Sequence, residues 1–349
     1  MQDWIVPYLA CPDTQAPLTL IVEERDGEEI MSGALCTSEG RRYPITGGVP
    51  RFVEHALLER EQRETVDAFS FKWSQIPKYA FEEKTKTNRE RWYFERFGFP
   101  QGDPDLRSFM AGAQFALEAG TGTGVDTDLL ARNFDGKLFG IDISTAIDEA
   151  FQRFRGNGRI ALLQADIGRL PFRPGFFDIV SCDQVLHHTP DPPGNFAKLA
   201  RLLSPAGRML LYVYRVKGAL REFADDHLRS TLVDAPVEHT IEFSRKMARL
   251  GRALSGLRAT VQIEDTIQEL GVAPGTYDVQ RFIYDHVLKC FWNDDYDFDT
   301  NAMINFDWYR PHHAFRYTEE QVRGWAKGAA LAVSRLDVSP SGISVVLRK

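Results

Sequence analysis

Cysteine is scarce: Cys11, Cys36, Cys182 and Cys290 are the four in 349 residues. So thin a spread makes no disulfide framework, and free thiols in a reducing compartment are expected. A long apolar run is also missing. Nowhere do eighteen apolar residues follow one another, which argues against a membrane span. The segment Met1-Gln2-Asp3-Trp4-Ile5-Val6-Pro7 carries acid where a secretory signal carries base. A cytoplasmic location is the expectation. Basic residues do not exceed acidic ones, 42 against 49, for a net charge of −7. A broad nucleic-acid-binding face is therefore disfavoured, since phosphate binding relies on excess Lys and Arg.

The chain is rich in apolar residues (43%) and aromatics (12%), enough for a full core. Its texture changes along the length. Residues 1–55 read as a small β-rich module, with strand-like pieces at 17–22, 33–36, 43–45 and 47–50 broken by turns. Residues 56–110 are charged, helical in period and aromatic, a linker or cap. From 111 to 215 strand and helix signals alternate. The strands are 115–118, 137–142, 159–164, 177–182 and 208–214, and helices are expected near 125–133 and 193–203. Continuous apolar strands suit a sheet covered on both faces. The order predicts an α/β fold with a doubly wound, mainly parallel, seven-stranded sheet. Residues 216–317 read as a mainly helical insertion, with Leu220, Phe223, His227 and Leu228 on one helical face and Val279, Phe282, Ile283, His286, Val287 and Cys290 on another. Residues 318–349 close the core with a capping signal at Thr318-Glu319-Glu320-Gln321, a helix and two strands, 331–338 and 343–347.

The densest chemistry lies in Glu118-Ala119-Gly120-Thr121-Gly122-Thr123-Gly124, between the first core strand and its helix. Glycine is needed where backbone turns tightly and approaches a ligand. A helix N-terminus at the strand ends points free N–H groups into the crevice. Asp142 ends the second core strand, placed to accept from both ribose hydroxyls. Asp166, after the third, is placed to read an adenine amine. Val125 stands where a dinucleotide fingerprint has its third glycine, which ranks nicotinamide chemistry last.

With Phe177-Asp178-Ile179-Val180 through Val185-Leu186-His187-His188-Thr189 and the turn at 203–207, these motifs resemble those of class I S-adenosylmethionine (SAM)-dependent methyltransferases over roughly 110–215 and the closing strands. The resemblance implies SAM as cofactor, with S-adenosylhomocysteine as product. It assigns cofactor contacts to Glu118, Gly120, Thr121, Gly122, Gly124, Asp142, Ile143, Asp166, Ile167 and Asp183, and to Trp73 as a cover. Asp183 either touches the methionine part or caps a turn. His187 and His188 are the catalytic candidates: one orients or deprotonates the acceptor, or the pair is framework. The first fifty residues resemble the Trm112-like small zinc-ribbon family around Cys11 and Cys36. Thr14 and Glu39 replace its second cysteines, so the ribbon fold is expected without metal.

The insertion is the natural lid. Tyr214, Arg215, Arg281, Tyr284, Asn305, Trp308 and His312 are its candidate acceptor contacts. Asp295, Asp297 and Asp299 resemble the start of a calcium loop, but Thr300 and Phe306 stand where that loop needs Gly and Glu. The expected function is methylation of a small polar metabolite, such as a natural-product or sugar-derived intermediate. Alternatives are an RNA methyltransferase and a catalytically silent SAM-binding or partner-binding subunit. Partners are expected to be a small-molecule acceptor, with neither nucleic acid nor membrane; a homo-oligomer is compatible with the sequence.

Overall fold

A computed structural model describes residues 1–76 and 81–349. The N-terminal module is a four-stranded antiparallel sheet, β1 (Thr19–Asp26), β2 (Glu29–Cys36), β3 (Arg42–Thr46) and β4 (Val49–Pro50), in that order. Three helices follow: α1 (Arg60–Gln75), α2 (Glu83–Phe97) and α3 (Asp103–Met110). The core then runs β5 (Phe115–Ala119), α4 (Val125–Arg132), β6 (Lys137–Asp142), α5 (Ala146–Phe154), β7 (Ile160–Gln164), β8 (Phe177–Asp183), α6 (Pro192–Leu202) and β9 (Leu203–Tyr214). The insertion contributes α7 (Ala219–Leu232), α8 (Val237–Gly256), β10 (Thr260–Ile263), β11 (Gly275–Asp278), α9 (Val279–His286) and α10 (Phe298–Tyr309). Helix α11 (Glu319–Gly328) and strands β12 (Ala332–Val338) and β13 (Gly342–Arg348) close the chain.

The main sheet has the order β12-β13-β9-β8-β5-β6-β7. Its β9, β8, β5, β6 and β7 pairings are parallel, and β13 pairs antiparallel to β9 and β12. This is the doubly wound, mainly parallel α/β fold read from the sequence. Strands β5, β6, β7 and β13 are largely apolar because both faces are buried, whereas the edge strand β12 is mostly exposed and carries Arg335 and Asp337. Ala116, Leu138, Ile179, Leu210 and Tyr212 point to a layer with Tyr93, Phe97, Leu106 and Leu130. Their neighbours Leu117, Phe139, Val180, Met209 and Leu211 point the other way, as period-two alternation requires.

That second layer holds Phe196, Leu199, Val322 and Ala326 together with Ile5, Leu9, Leu18, Ile30 and Ile45 of the N-terminal module. The module thus shares one apolar core with the sheet. Backbone contacts tie it further: Phe52 N–H donates to the Gln164 carbonyl at 2.8 Å, and Ala10 N–H to the Pro171 carbonyl at 3.0 Å.

Two local readings change. The insertion holds an antiparallel hairpin, β10 with β11, among its helices. Thr260-Val261-Gln262-Ile263 alternates exposed polar with half-buried apolar residues, a period-two signal too short to stand out between long helical faces. Helix α5 also fell outside the sequence reading, although Ile147, Ala150 and Phe151 bury one face against Val49 and Leu162. The capping box at α11 forms as read, with Thr318 and Gln321 satisfying each other's backbone N–H. Among the described residues no helix is long and apolar enough to cross a membrane.

Candidate functional site

The parallel strands end together at one edge of the sheet, where the β5–α4 turn, the ends of β6 and β8 and the segment after β7 meet. A cavity of about 670 Å3 opens there, roofed by α1, α2 and the insertion. Crevices at this edge are where open α/β sheets bind ligands.

The glycine turn is shaped by left-handed backbone. Gly120 has φ +96°, and a Cβ there would lie 2.1 Å from a Val185 methyl; Gly124 has φ +89° and faces the Phe154 ring. Only glycine fits both demands. Glu118 lies beneath the turn rather than in the cavity. Its carboxyl accepts from the Thr121 hydroxyl at 3.3 Å and from the Thr127 hydroxyl. Burial, with the Asp126 carboxylate nearby, pushes its pKa up to about 8 against those hydrogen bonds.

Asp142 and Asp166 both line the cavity. One Asp142 oxygen accepts from Gly122 N–H at 2.7 Å, and the other from Ser144 N–H at 2.8 Å and the Ser144 hydroxyl at 2.6 Å. Burial raises its pKa against those bonds. Asp166 accepts from Gln62 at 2.9 Å and from Gly168 N–H at 2.7 Å. Ile143, Ile167, Thr121, Gly122 and Trp73 line the same space. Trp73 sits against the turn, 3.4 Å from where a Gly122 Cβ would be, with the Lys72 ammonium 4.4 Å from its ring centroid.

Asp183 also lines the cavity, but its carboxylate is taken by Arg96, whose guanidinium bonds both oxygens. Burial alone would raise the Asp183 pKa; Arg96 holds it below the usual range. Arg96 is itself sandwiched by rings, 3.9 Å from Trp92 and 4.9 Å from Tyr212. A second pair, Arg89 with Asp126 at 2.8 Å, stands beside it.

The two histidines separate. His187 is fully buried, stacked 3.6 Å from the Tyr214 ring, and lies outside the cavity wall. Its Nδ1 accepts from Tyr214 N–H at 3.3 Å. His188 lines the cavity, and its Nδ1 lies 2.6 Å from the His313 carbonyl, which can only accept. Nδ1 therefore carries the proton and Nε2 the lone pair. Burial pushes His188 down to about 4 against that bond, so the ring is neutral near pH 7.

Of the candidate acceptor residues, Tyr214, Arg281, Tyr284 and Trp308 line the cavity. Arg215 instead braces the closing turn through the Ser339 carbonyl at 3.3 Å. Asn305 is fully buried and spans the backbone, accepting from Phe291 N–H at 2.8 Å and donating to its carbonyl at 3.0 Å. His312 pairs with Glu64 at 2.5 Å, and Arg60 reaches both Glu64 and Asp234 there. Asp307, one of the polar residues before the closing helix, lines the cavity too, and so do Lys72, Lys217, Arg221, Lys289 and Asp285, which the sequence does not single out. Lys72 and Asp307 join α1 to α10 at 2.6 Å. Burial, with Arg221 beside it, pushes Lys217 down to about 7. Lys72, Arg221 and Asp285 lie on helices whose sequence reads as ordinary polar faces, Lys217 and Lys289 lie in connecting segments, and only the roof's packing turns them inward.

Residues 117–211 match the family described as methyltransferase domain. An uncharacterised protein of Synechococcus sp. is 36% identical over 130 residues, 36% of this chain and 30% of that protein. A ubiquinone biosynthesis O-methyltransferase of Methylococcus capsulatus is 36% identical over 95 residues, 26% of this chain and 40% of that protein. The chain thus spans well under half the length of these relatives. A solved SAM-dependent methyltransferase of Aquifex aeolicus aligns at TM-score 0.39 and 12% identity, covering 73% of this chain and 91% of that one.

Proposed function

We propose that the protein transfers a methyl group from SAM to a small polar acceptor held beneath the insertion. The observation that carries this reading is the pairing of Asp142 with Gly122 N–H at 2.7 Å, which fixes a carboxylate against a left-handed glycine turn in the matched domain. A nucleoside fits the residues present. Asp142 keeps one acceptor site for a ribose hydroxyl on the oxygen that Gly122 N–H holds, Asp166 can accept from an adenine amine, and Ile143 and Ile167 offer apolar walls. Gly120 and Thr121 keep the turn low enough for the ligand to approach, and Trp73 covers it.

SAM supplies a methyl group on a sulfonium, which leaves as a neutral thioether. The chain's part is orientation and exclusion of water, which together supply most of what an in-line displacement needs. His188 Nε2 faces the cavity as an acceptor and can hold an acceptor's hydroxyl or amine hydrogen while lining up its lone pair. With a pKa of about 4 it is a positioning group before it is a base. His187 backs this arrangement by fixing Tyr214. The N-terminal module, resembling Trm112-like ribbons, serves here as a stabilising wall, its Cys11 thiol within 3.1 Å of the Tyr43 hydroxyl.

The relative named for ubiquinone biosynthesis supports a small-molecule acceptor. The test is a transfer assay with methyl-labelled SAM against pooled small metabolites and total RNA. Label in the small-molecule fraction is expected; label confined to RNA would overturn the acceptor class.

A further inference from the structure

The insertion's end of the cavity differs in charge from the glycine-turn end, and we propose that it receives an anionic group on a planar acceptor, with the Lys289 ammonium as its counter-charge. This rests on the methyltransferase reading for the acceptor's role, though not for the site's existence. Lys289 is only 6% exposed and lines the cavity. Its ammonium stands 5.0 Å from the Trp308 ring centroid, 5.4 Å from Tyr284 and 5.9 Å from Phe291. Among the described residues it has neither a hydrogen-bond acceptor nor a carboxylate partner.

The neighbouring charges make the imbalance plain. Arg221 shares the Tyr284 and Trp308 rings, but Asp225 answers it at 2.6 Å. Arg281 lies over Tyr284 at 5.4 Å and Phe291 at 5.7 Å with no carboxylate of its own among the described residues. Lys217 is held by the Pro340 and Ser341 carbonyls. Against these cations stand the carboxylates of Asp285 and of Asp295, the latter accepting from the Asn88 amide at 2.8 Å. Ring faces offset only part of the cost of burying an ammonium. The Trp308 indole N–H is buried and has no acceptor among the described residues either. An anion in this space would receive Lys289 and Arg281.

The rings also set a path. Trp308 is 4.9 Å from Tyr214, whose ring is 5.4 Å from His188. A planar molecule anchored at Lys289 therefore lies along Tyr214 with its far end at His188 Nε2. The opposite end of the cavity carries Asp142 and Asp166, so an anion is repelled there and the acceptor enters one way round. The acceptor class is a planar carboxylate or phosphate.

The experiment titrates benzoate, phenyl phosphate and neutral benzamide into the full chain, with and without S-adenosylhomocysteine, following tryptophan fluorescence. Benzoate or phenyl phosphate should bind at least about tenfold more tightly than benzamide, and the tighter of the two names the anion. Lys289→Met should weaken the anion about tenfold while leaving S-adenosylhomocysteine affinity and melting temperature in place, and Lys289→Arg should restore it. Arg281→Met, at the exposed rim, should weaken the anion in the same direction and guards against a misfolded Lys289→Met. Equal affinity for benzamide, no binding of either anion, or anion binding indifferent to both substitutions overturns the proposal. Anion binding without S-adenosylhomocysteine binding would leave this site standing and remove the methyltransferase reading instead.

Discussion

Asp142 does two jobs at one position: it pins the glycine turn through Gly122 N–H and offers its one remaining acceptor site to the cavity. Asp142→Ala should lower S-adenosylhomocysteine affinity at least about tenfold while the fold survives, because a small cavity-facing side chain carries little of the core. Calorimetry on the two proteins checks this, and unchanged affinity removes Asp142 from the ribose. His188 makes a pH prediction. Folded, it titrates at about 4; unfolded, at its ordinary value of 6.5. Between those values the unfolded chain binds a proton that the folded chain refuses, so stability falls as pH falls through this window. The loss reaches at most about 3 kcal/mol, and His187, shifted the same way, adds to it. In His188→Gln the fall in urea midpoint between about pH 7 and about pH 5 should be visibly shallower. An identical slope would place the titrating groups elsewhere.

Among the elements, α2 depends on a charge buried against the sheet. Arg96 and Asp183 are each 3% exposed at the side chain and join α2 to the end of β8. Arg96→Met strands a buried carboxylate and should cost about 3–5 kcal/mol, whereas the double variant Arg96→Met with Asp183→Leu should recover much of it. Chemical denaturation measures both; a single variant as stable as the parent would show that the pair is not carrying α2. This ion pair also marks the boundary of what the sequence reveals. The sheet strands were legible because burial on both faces leaves continuous apolar runs, and the glycine turn with Asp142 and Asp166 was legible because each residue sits at a fixed offset from a strand end. The partner of Asp183 was not, since Arg96 is one of several basic residues on a charged helix 87 residues away. The same holds for Lys289, which stands in the segment between α9 and α10 and turns inward only through the packing of the roof. It holds in reverse for Asn305 and His312, polar residues that face backbone and Glu64 instead of the cavity.

Across the whole molecule, the N-terminal module and the sheet form one core, with Ile5, Leu9 and Leu18 packed in the same cluster as Leu117 and Phe139. The module is therefore not a detachable accessory. A chain starting at residue 56 should aggregate or unfold, because removing the module exposes that face of the sheet to water. A soluble truncated chain with native circular dichroism would contradict a shared core. Above the sheet edge, α1 and α10 meet through Phe71 and Phe306, 5.6 Å apart, and close a single cavity whose two ends differ in charge. The account stands or falls on what fills the acidic, glycine-lined end. Calorimetric titration of the full chain with S-adenosylhomocysteine and, separately, NAD tests it most directly. Saturable binding of S-adenosylhomocysteine in about the micromolar range, with no heat from NAD, is the predicted result. Binding of NAD in its place, or of neither, would contradict the account.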